Sequence, residues 1–217
     1  MIYKIKFLDG TVKEFESLVN ADLRRSSLSG INLKGADLSR ADLSDSYLRN
    51  ADLSSSNLDR ANLTHVKLED ANLQGANLDH ANLTRADLRG ANLSDCNLRY
   101  AYLTEARLCK ADMTRSNLWD AKCTGAILSE ACFKNARLKY AELTKCDLRD
   151  SDMTDCDLRN AIFVYADLSN ANLTNSDLRE SVLVNADLKN AILSNANLKD
   201  AILSNANLEG TILDVKE

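Results

Sequence analysis

A five-residue repeat runs through nearly the whole chain and constrains its fold more than any other feature of the sequence. Each repeat has a small residue, a polar residue, a leucine and two further polar residues, as residues 185–208 illustrate. The leucine position returns without insertion or deletion from Leu23 to Leu213. It is replaced only by apolar residues, namely Met113, Cys123, Phe133, Met153 and Phe163. We call the leucine the central position, the small residue two before it the inner position, and the other three the outer positions.

A period of five residues fits neither a helix nor a continuous strand. In a helix each residue advances about 100°, so leucines five apart would spread around the whole cylinder. In a strand, side chains alternate between two faces, so successive leucines would point to opposite sides. The inner and central residues are two apart, however, and can share one strand face. We therefore expect short extended segments with a bend after each leucine, and four right-angle bends would close a coil of twenty residues around the alanines and leucines.

Two residue patterns support these bends and this coil length. Glycine and asparagine recur at the second residue after the central position, as at Gly125 and Asn195. A type II turn needs a positive φ at its third residue, which both residues tolerate. Threonine also recurs after the leucine at twenty-residue spacing, and stacked β-branched residues pack well between neighbouring strands. The series comprises Thr64, Thr84, Thr104, Thr124 and Thr144.

With its Ala-Asp/Asn-Leu-x-x pattern, the sequence resembles the pentapeptide-repeat proteins over residues 21–213. The resemblance implies an all-β fold, a right-handed quadrilateral β-helix, here with about nine to ten coils. The handedness and the square cross-section are what the resemblance implies, since the period alone indicates only regular bends. Coils stacked about 4.8 Å apart would form a rod on the order of 45 Å long.

The N-terminal residues 1–20 lack the repeat and are predicted to form a β-hairpin cap. Tyr3, Ile5 and Phe7 alternate with lysines, and Asp9-Gly10 follows as a turn. Such a hairpin would cover the open edge of the first coil, which otherwise invites pairing with another chain.

At the C-terminus we expect no second cap. The repeats of the predicted solenoid, residues 21–213, are followed only by a tail at 214–217, which is too short for a covering helix. An uncovered solenoid end is a solubility liability. We therefore expect a second copy of the protein to cover it.

Composition indicates a cytoplasmic protein without a membrane segment. No apolar run approaches the roughly 20 residues of a membrane span, and the N-terminus lacks the apolar core of a signal peptide. Cysteine usage agrees with a reducing compartment, because most cysteines replace small core residues. Cys96, Cys146 and Cys156 occupy inner positions, Cys123 a central one, and Cys109 and Cys132 outer ones.

Aliphatic residues near the C-terminus occupy outer positions that are polar elsewhere. This aliphatic surface consists of Ile162, Val164, Val182, Val184 and Ile202, with Ile212 on the opposite side of the rod. A clustered apolar patch is typical of a contact surface. Together with the uncovered end it predicts homodimerisation through the last three or four coils. The alternative is that these residues reflect ordinary β-propensity.

A second candidate contact surface interleaves basic and aromatic residues one coil apart. This basic–aromatic surface consists of Arg99, Tyr100, Trp119, Lys139, Tyr140 and Arg159. Such a pattern can bind a nucleic-acid strand. Asp157 and Asp177 lie two residues before Arg159 and Arg179, however, and compensate their charge. We therefore expect a solvated face and no direct binding of nucleic acid.

The sequence indicates no enzyme, cofactor or metal site. His65 and His80 occupy bend positions on different sides of the rod, and neither is paired with a nucleophile. The glycines are dispersed singly, so none forms a phosphate-binding loop. Asp147, Asp167 and Asp187 stack in one column but lack the pattern of calcium-binding β-rolls.

These features predict a rod-like protein-interaction scaffold that is homodimeric through its C-terminal coils. An alternative comes from the resemblance, because some pentapeptide-repeat proteins bind the type II topoisomerases DNA gyrase and topoisomerase IV by imitating duplex DNA. The net charge of −5 arises from 32 acidic and 27 basic residues spread along the rod. The chain lacks the loops and the C-terminal helix that many quinolone-resistance members carry.

Overall fold

A computed structural model describes residues 2–212, which form an N-terminal hairpin followed by a stack of coils, each with four short extended segments. Within that range the chain contains no helix. Parallel single-residue bridges join the outer residue before each leucine to its counterpart twenty residues later, from Asp22–Asp42 to Ile192–Ile212. The predicted quadrilateral β-helix with twenty-residue coils is confirmed.

The two regular strands lie at the N-terminus and form an antiparallel hairpin. Strand β1 spans Tyr3–Lys6 and strand β2 spans Val12–Phe15. Tyr3 lies opposite Phe15, and Lys6 lies opposite Val12. The turn between the strands places Gly10 at a φ of 89°, a conformation that glycine adopts without steric cost.

The hairpin is hydrogen-bonded to the first coil. The Leu8 amide donates to the Arg25 carbonyl at 2.9 Å, and the Ser27 amide donates to the Lys6 carbonyl at 2.8 Å. Ile5 and Leu18 are both only 1% exposed and join the core of the solenoid. The hairpin therefore shields the interior of the first coil. The predicted tail at 214–217 lies outside the described residues, as does Leu213.

Each coil is hydrogen-bonded to both of its neighbours through a repeating pattern. The Leu63 amide donates to the carbonyl of Asn82 in the next coil at 2.7 Å. The Asn82 amide donates to the carbonyl of Ala61 in the previous coil at 2.9 Å. Because these bonds reach only the adjacent coils, the stability of the rod is a sum of nearest-neighbour terms.

The bends place the second residue after each central position in the left-handed region. The φ values there run from 54° at Asp120 to 70° at Gly125. A bond across the bend closes it, as where the Ala81 amide donates to the Leu78 carbonyl at 3.0 Å. Many of these residues are neither glycine nor asparagine; Tyr100 and Lys145, for example, adopt φ values of 56° and 58°. The coil therefore imposes this conformation on residues that disfavour it.

Central and inner side chains fill the narrow interior, and serine and cysteine at inner positions also form hydrogen bonds. The Ser46 hydroxyl donates to the Leu23 carbonyl at 2.8 Å and accepts the Ser26 amide at 3.0 Å. The Cys96 thiol donates to the Leu73 carbonyl at 3.0 Å. A small polar side chain can thus replace alanine and still pair its polar atom, although the hydroxyls of Ser56, Ser151 and Ser181 have no partner within the described residues.

Outer asparagines form a ladder along one side of the rod. The side-chain amides of Asn57, Asn77 and Asn97 donate to the residue one coil earlier at 3.0, 3.0 and 2.9 Å. The Asn57 and Asn77 oxygens also accept the amides of Asp59 and Asp79. Asn117 follows Asn97 in this column, and Arg137 occupies the next position.

Candidate contact surfaces

The structure stacks five of the six predicted dimer residues on one side of the rod. Bridges join Ile162 to Val182 and Val182 to Ile202. Val164 lies two residues after Ile162, and Val184 lies two residues after Val182. All are partly buried except Ile202, which is 50% exposed. Ile212, 51% exposed, lies on the opposite side of the rod, where it bridges with Ile192.

The last described coil leaves part of the apolar interior open to solvent. Leu178, Leu183 and Leu188 are fully buried, whereas Leu208 in the following coil is 39% exposed. Leu198 and Leu203 are also partly exposed. Over residues 2–212, the amides of these three last-coil leucines have no hydrogen-bond acceptor, although the Leu188 amide donates to Asn207 at 2.8 Å. Open apolar surface therefore continues from the aliphatic surface to this end.

The basic–aromatic surface contains a continuous chain of ring contacts. The His80 and Tyr100 rings stack with their centroids 4.7 Å apart. The Tyr100 ring meets the Trp119 ring edge-on at 4.9 Å, and the Trp119 ring meets the Tyr140 ring edge-on at 5.9 Å. The predicted residues Tyr100, Trp119 and Tyr140 are thus brought into contact.

Cations cover the faces of these rings. The Arg99 guanidinium lies 5.4 Å from the centroid of Tyr100 and 5.0 Å from that of Trp119. The Lys139 ammonium lies 4.8 Å from the centroid of Tyr140. Such contacts are electrostatically favourable because the face of an aromatic ring is electron-rich.

The sixth predicted residue of this surface, Arg159, is instead paired with a carboxylate. Its guanidinium donates two hydrogen bonds of 2.7 Å to Asp157. Arg179 holds Asp177 in the same way one coil later. These bonds lower the pKa of both aspartates. The charge compensation predicted from the sequence is therefore present here.

A cluster at the edge of the basic–aromatic surface was not predicted from the sequence. Asp59, Asp79 and His80 place three ligand-type atoms within 4.8 Å of one another. His80 Nδ1 lies 3.1 Å from Asp79 Oδ1 without hydrogen-bond geometry, and Arg60 Nε lies 3.7 Å from Asp59 Oδ2. Because that guanidinium already supplies positive charge, the cluster fits an ion-pair network better than a metal site. The twenty-residue spacing of the two aspartates was the signal that could have revealed it.

A stack of repeats with side chains arranged in columns defines a structural repeat scaffold. The family model for pentapeptide repeats matches the chain in 8 copies. The matched residues are 17–54, 56–95, 91–129, 116–155, 141–180, 151–190 and 181–214. The chain therefore belongs to the pentapeptide-repeat family, whose fold is a right-handed quadrilateral β-helix.

A solved structure with clear similarity is that of HetL from the cyanobacterium Nostoc sp. strain PCC 7120. HetL is a pentapeptide-repeat protein involved in the regulation of heterocyst differentiation. It is 33% identical to this chain, and the alignment covers 89% of this chain and 90% of HetL with a TM-score of 0.54.

Full-length QnrB1, a plasmid-mediated fluoroquinolone resistance protein, is more distant. It is 19% identical, with 87% of this chain and 93% of QnrB1 covered and a TM-score of 0.40. The comparison with curated proteins finds no match. Among residues 2–212, no helix is long and apolar enough to cross a membrane.

Proposed function

We propose that the protein is a non-enzymatic protein-interaction scaffold that forms a homodimer through its C-terminal coils. The observation that carries this proposal is the open interior of the last described coil, where Leu208 is 39% exposed, beside the outer residue Ile202, which is 50% exposed. This opening is continuous with the stacked aliphatic residues Ile162 and Val182. A second copy would bury both features and supply acceptors for the leucine amides that have none over residues 2–212.

Light scattering of the purified protein tests the dimer. The double substitution Val182→Arg with Ile202→Arg places two charges in the proposed interface and should yield monomers. Tyr102→Arg is the matched control, because Tyr102 belongs to the same column and is also 50% exposed but lies several coils away. A double variant with the mass of the parent protein would rule out this interface.

HetL, which aligns over nearly the whole of both chains, is involved in the regulation of heterocyst differentiation, and a regulatory role of this kind is compatible with a scaffold. We also place the protein in the cytoplasm. Its six free cysteines, four of them buried, support a reducing compartment.

The alternative is a DNA-mimicking partner of DNA gyrase or topoisomerase IV. A DNA mimic needs a continuous negative stripe, whereas acidic residues in this rod are interrupted by paired basic ones. Asp147, for example, is held by Arg149 at 2.7 Å, and Asp167 lies 3.7 Å from the same guanidinium. This patchwork favours the scaffold.

A gyrase supercoiling assay with and without a quinolone tests the alternative. An effect at micromolar protein would support it over a general scaffold. No effect on either reaction would remove it and leave the dimeric scaffold untouched.

A further inference from the structure

Three cations around the single tryptophan have no carboxylate partner. Arg99, Arg137 and Lys139 form no ion pair with any residue in the range 2–212, in contrast to Arg159 and Arg179 on the same side. These three line one depression together with Asn117, Trp119 and Asp157. Arg137 was not among the residues predicted from the sequence.

Two acidic groups next to this cluster, Asp157 and Asp120, are engaged by other cations. The Asp157 carboxylate accepts both of its short hydrogen bonds from Arg159. The Asp120 carboxylate accepts a hydrogen bond from Lys122 at 2.8 Å. The depression therefore keeps uncompensated positive charge on a chain whose overall net charge is −5.

We propose that this depression binds an acidic segment of a partner protein through a Glu or Asp carboxylate, an inference that rests on the proposed scaffold function. Arginine and lysine donate charge-assisted hydrogen bonds to such a group. The depression holds about 230 Å³, less than the roughly 300 Å³ at which small-molecule pockets begin. Its size thus suits one or two side chains.

The ring contacts favour a carboxylate over a nucleic-acid strand. Single-stranded nucleic acids bind by stacking successive bases on free aromatic faces. Here His80 and Tyr100 stack on each other, Arg99 covers Trp119, and Lys139 covers Tyr140.

Fluorescence titration tests the proposal, because Trp119 is the only tryptophan and lies in the depression. Hexaglutamate should change the emission saturably at low salt, and added salt should weaken the binding. Arg137→Gln and Lys139→Gln should each weaken it roughly two- to fivefold. Lys199→Gln, in the same column as Lys139 but far from Trp119, should leave it unchanged. Circular dichroism of each variant checks that the fold is retained.

Three outcomes would overturn the proposal. They are the absence of a saturable change with hexaglutamate, equal weakening by Lys199→Gln, and binding of an oligothymidylate in preference to hexaglutamate at the same salt concentration. The titration is independent of the dimer, since a monomeric Val182→Arg/Ile202→Arg variant keeps this depression. A negative result for the dimer by light scattering can therefore be distinguished from a negative result for the binding of hexaglutamate.

Discussion

The Ser46 hydroxyl donates a hydrogen bond of 2.8 Å to the carbonyl of Leu23, which belongs to the preceding coil. The same hydroxyl accepts a hydrogen bond from the Ser26 amide at 3.0 Å. It thereby replaces the direct amide-to-carbonyl hydrogen bond that closes most other bends. Ser46→Ala should therefore leave a buried amide unpaired and reduce the free energy of unfolding by about 1–3 kcal/mol. Denaturant unfolding followed by circular dichroism measures the change.

Ser151→Ala is the matched control for this substitution. The Ser151 hydroxyl is buried and has no hydrogen-bond partner within the described residues, while its amide donates directly to Leu148 at 3.2 Å. Removing this hydroxyl should be neutral or stabilising, because an unpaired buried polar atom disappears. Equal destabilisation by both substitutions would contradict the bridging role of Ser46.

The sequence predicted the coil and its columns but not these bridges. The spacing of Thr64 and Thr84 already gives the twenty-residue coil, since each column repeats with the geometry of stacked strands. An inner serine looks like a small core residue in the sequence. Only the structure shows that Ser46 replaces a bend hydrogen bond and Ser151 does not, because this depends on the rotamer of each serine side chain.

For the candidate surfaces, too, the sequence predicted which residues share a column but not all of the contacts that they form. The twenty-residue spacing of Arg99, Trp119 and Lys139 placed these residues in one column. The spacing also predicted that Asp157 compensates Arg159, but it could not show that Arg137, one coil before Asp157, forms no ion pair over residues 2–212, because a long basic side chain next to an acidic one in the adjacent coil has several rotamers to choose from. The sequence also could not show how far Leu208 is exposed, since the answer depends on what covers the last coil.

Gly125→Ala should destabilise the protein by about 1 kcal/mol, because Gly125 has a φ of 70° that residues with a Cβ disfavour. Space is not the cause, since the added Cβ would meet only the Glu105 Cγ atom at 3.7 Å. One coil later, Lys145→Gly should stabilise the protein by about 0.5 kcal/mol. Relief of the disfavoured φ at Lys145 outweighs the additional conformational entropy that glycine loses on folding. Urea midpoints of the two variants should shift in opposite directions; a shift in the same direction would indicate that φ is not decisive.

Stability should fall as the pH is lowered below about 4. Hydrogen bonds from Arg24 lower the pKa of Asp22 to about 2, and those from Arg159 and Arg179 lower the pKa of Asp157 and Asp177. The unfolded chain therefore binds more protons in this range, so the stabilisation present above the ordinary aspartate pKa is lost as the pH falls through the lowered values. Thermal unfolding between pH 5 and pH 2 measures the slope.

Asp157→Asn with Asp177→Asn should flatten this pH dependence. Arg159→Gln with Arg179→Gln should flatten it similarly, because either pair of substitutions removes the same ion pairs. An unchanged slope in both variants would show that these pairs do not link protonation to folding.

Alkylation should distinguish the cysteines by burial. Burial raises the pKa of the Cys96, Cys146 and Cys156 thiols to about 12, and it also raises the pKa of Cys123. Because the thiolate is the reactive form, iodoacetamide at about pH 8 should modify the partly exposed Cys109 and Cys132 first. Peptide mass spectrometry before and after denaturation reads out each site. Rapid labelling of Cys123 in the native protein would indicate that the interior opens.

The restriction of hydrogen bonds to adjacent coils has a consequence for how such a protein can change its length. Removing or duplicating one complete coil of twenty residues would leave every remaining coil next to the coils with which it forms hydrogen bonds. Inserting or removing a single five-residue repeat would instead rotate each later column by a quarter turn. Evolution and protein engineers alike can therefore set the distance between the two ends in whole steps while keeping each surface aligned.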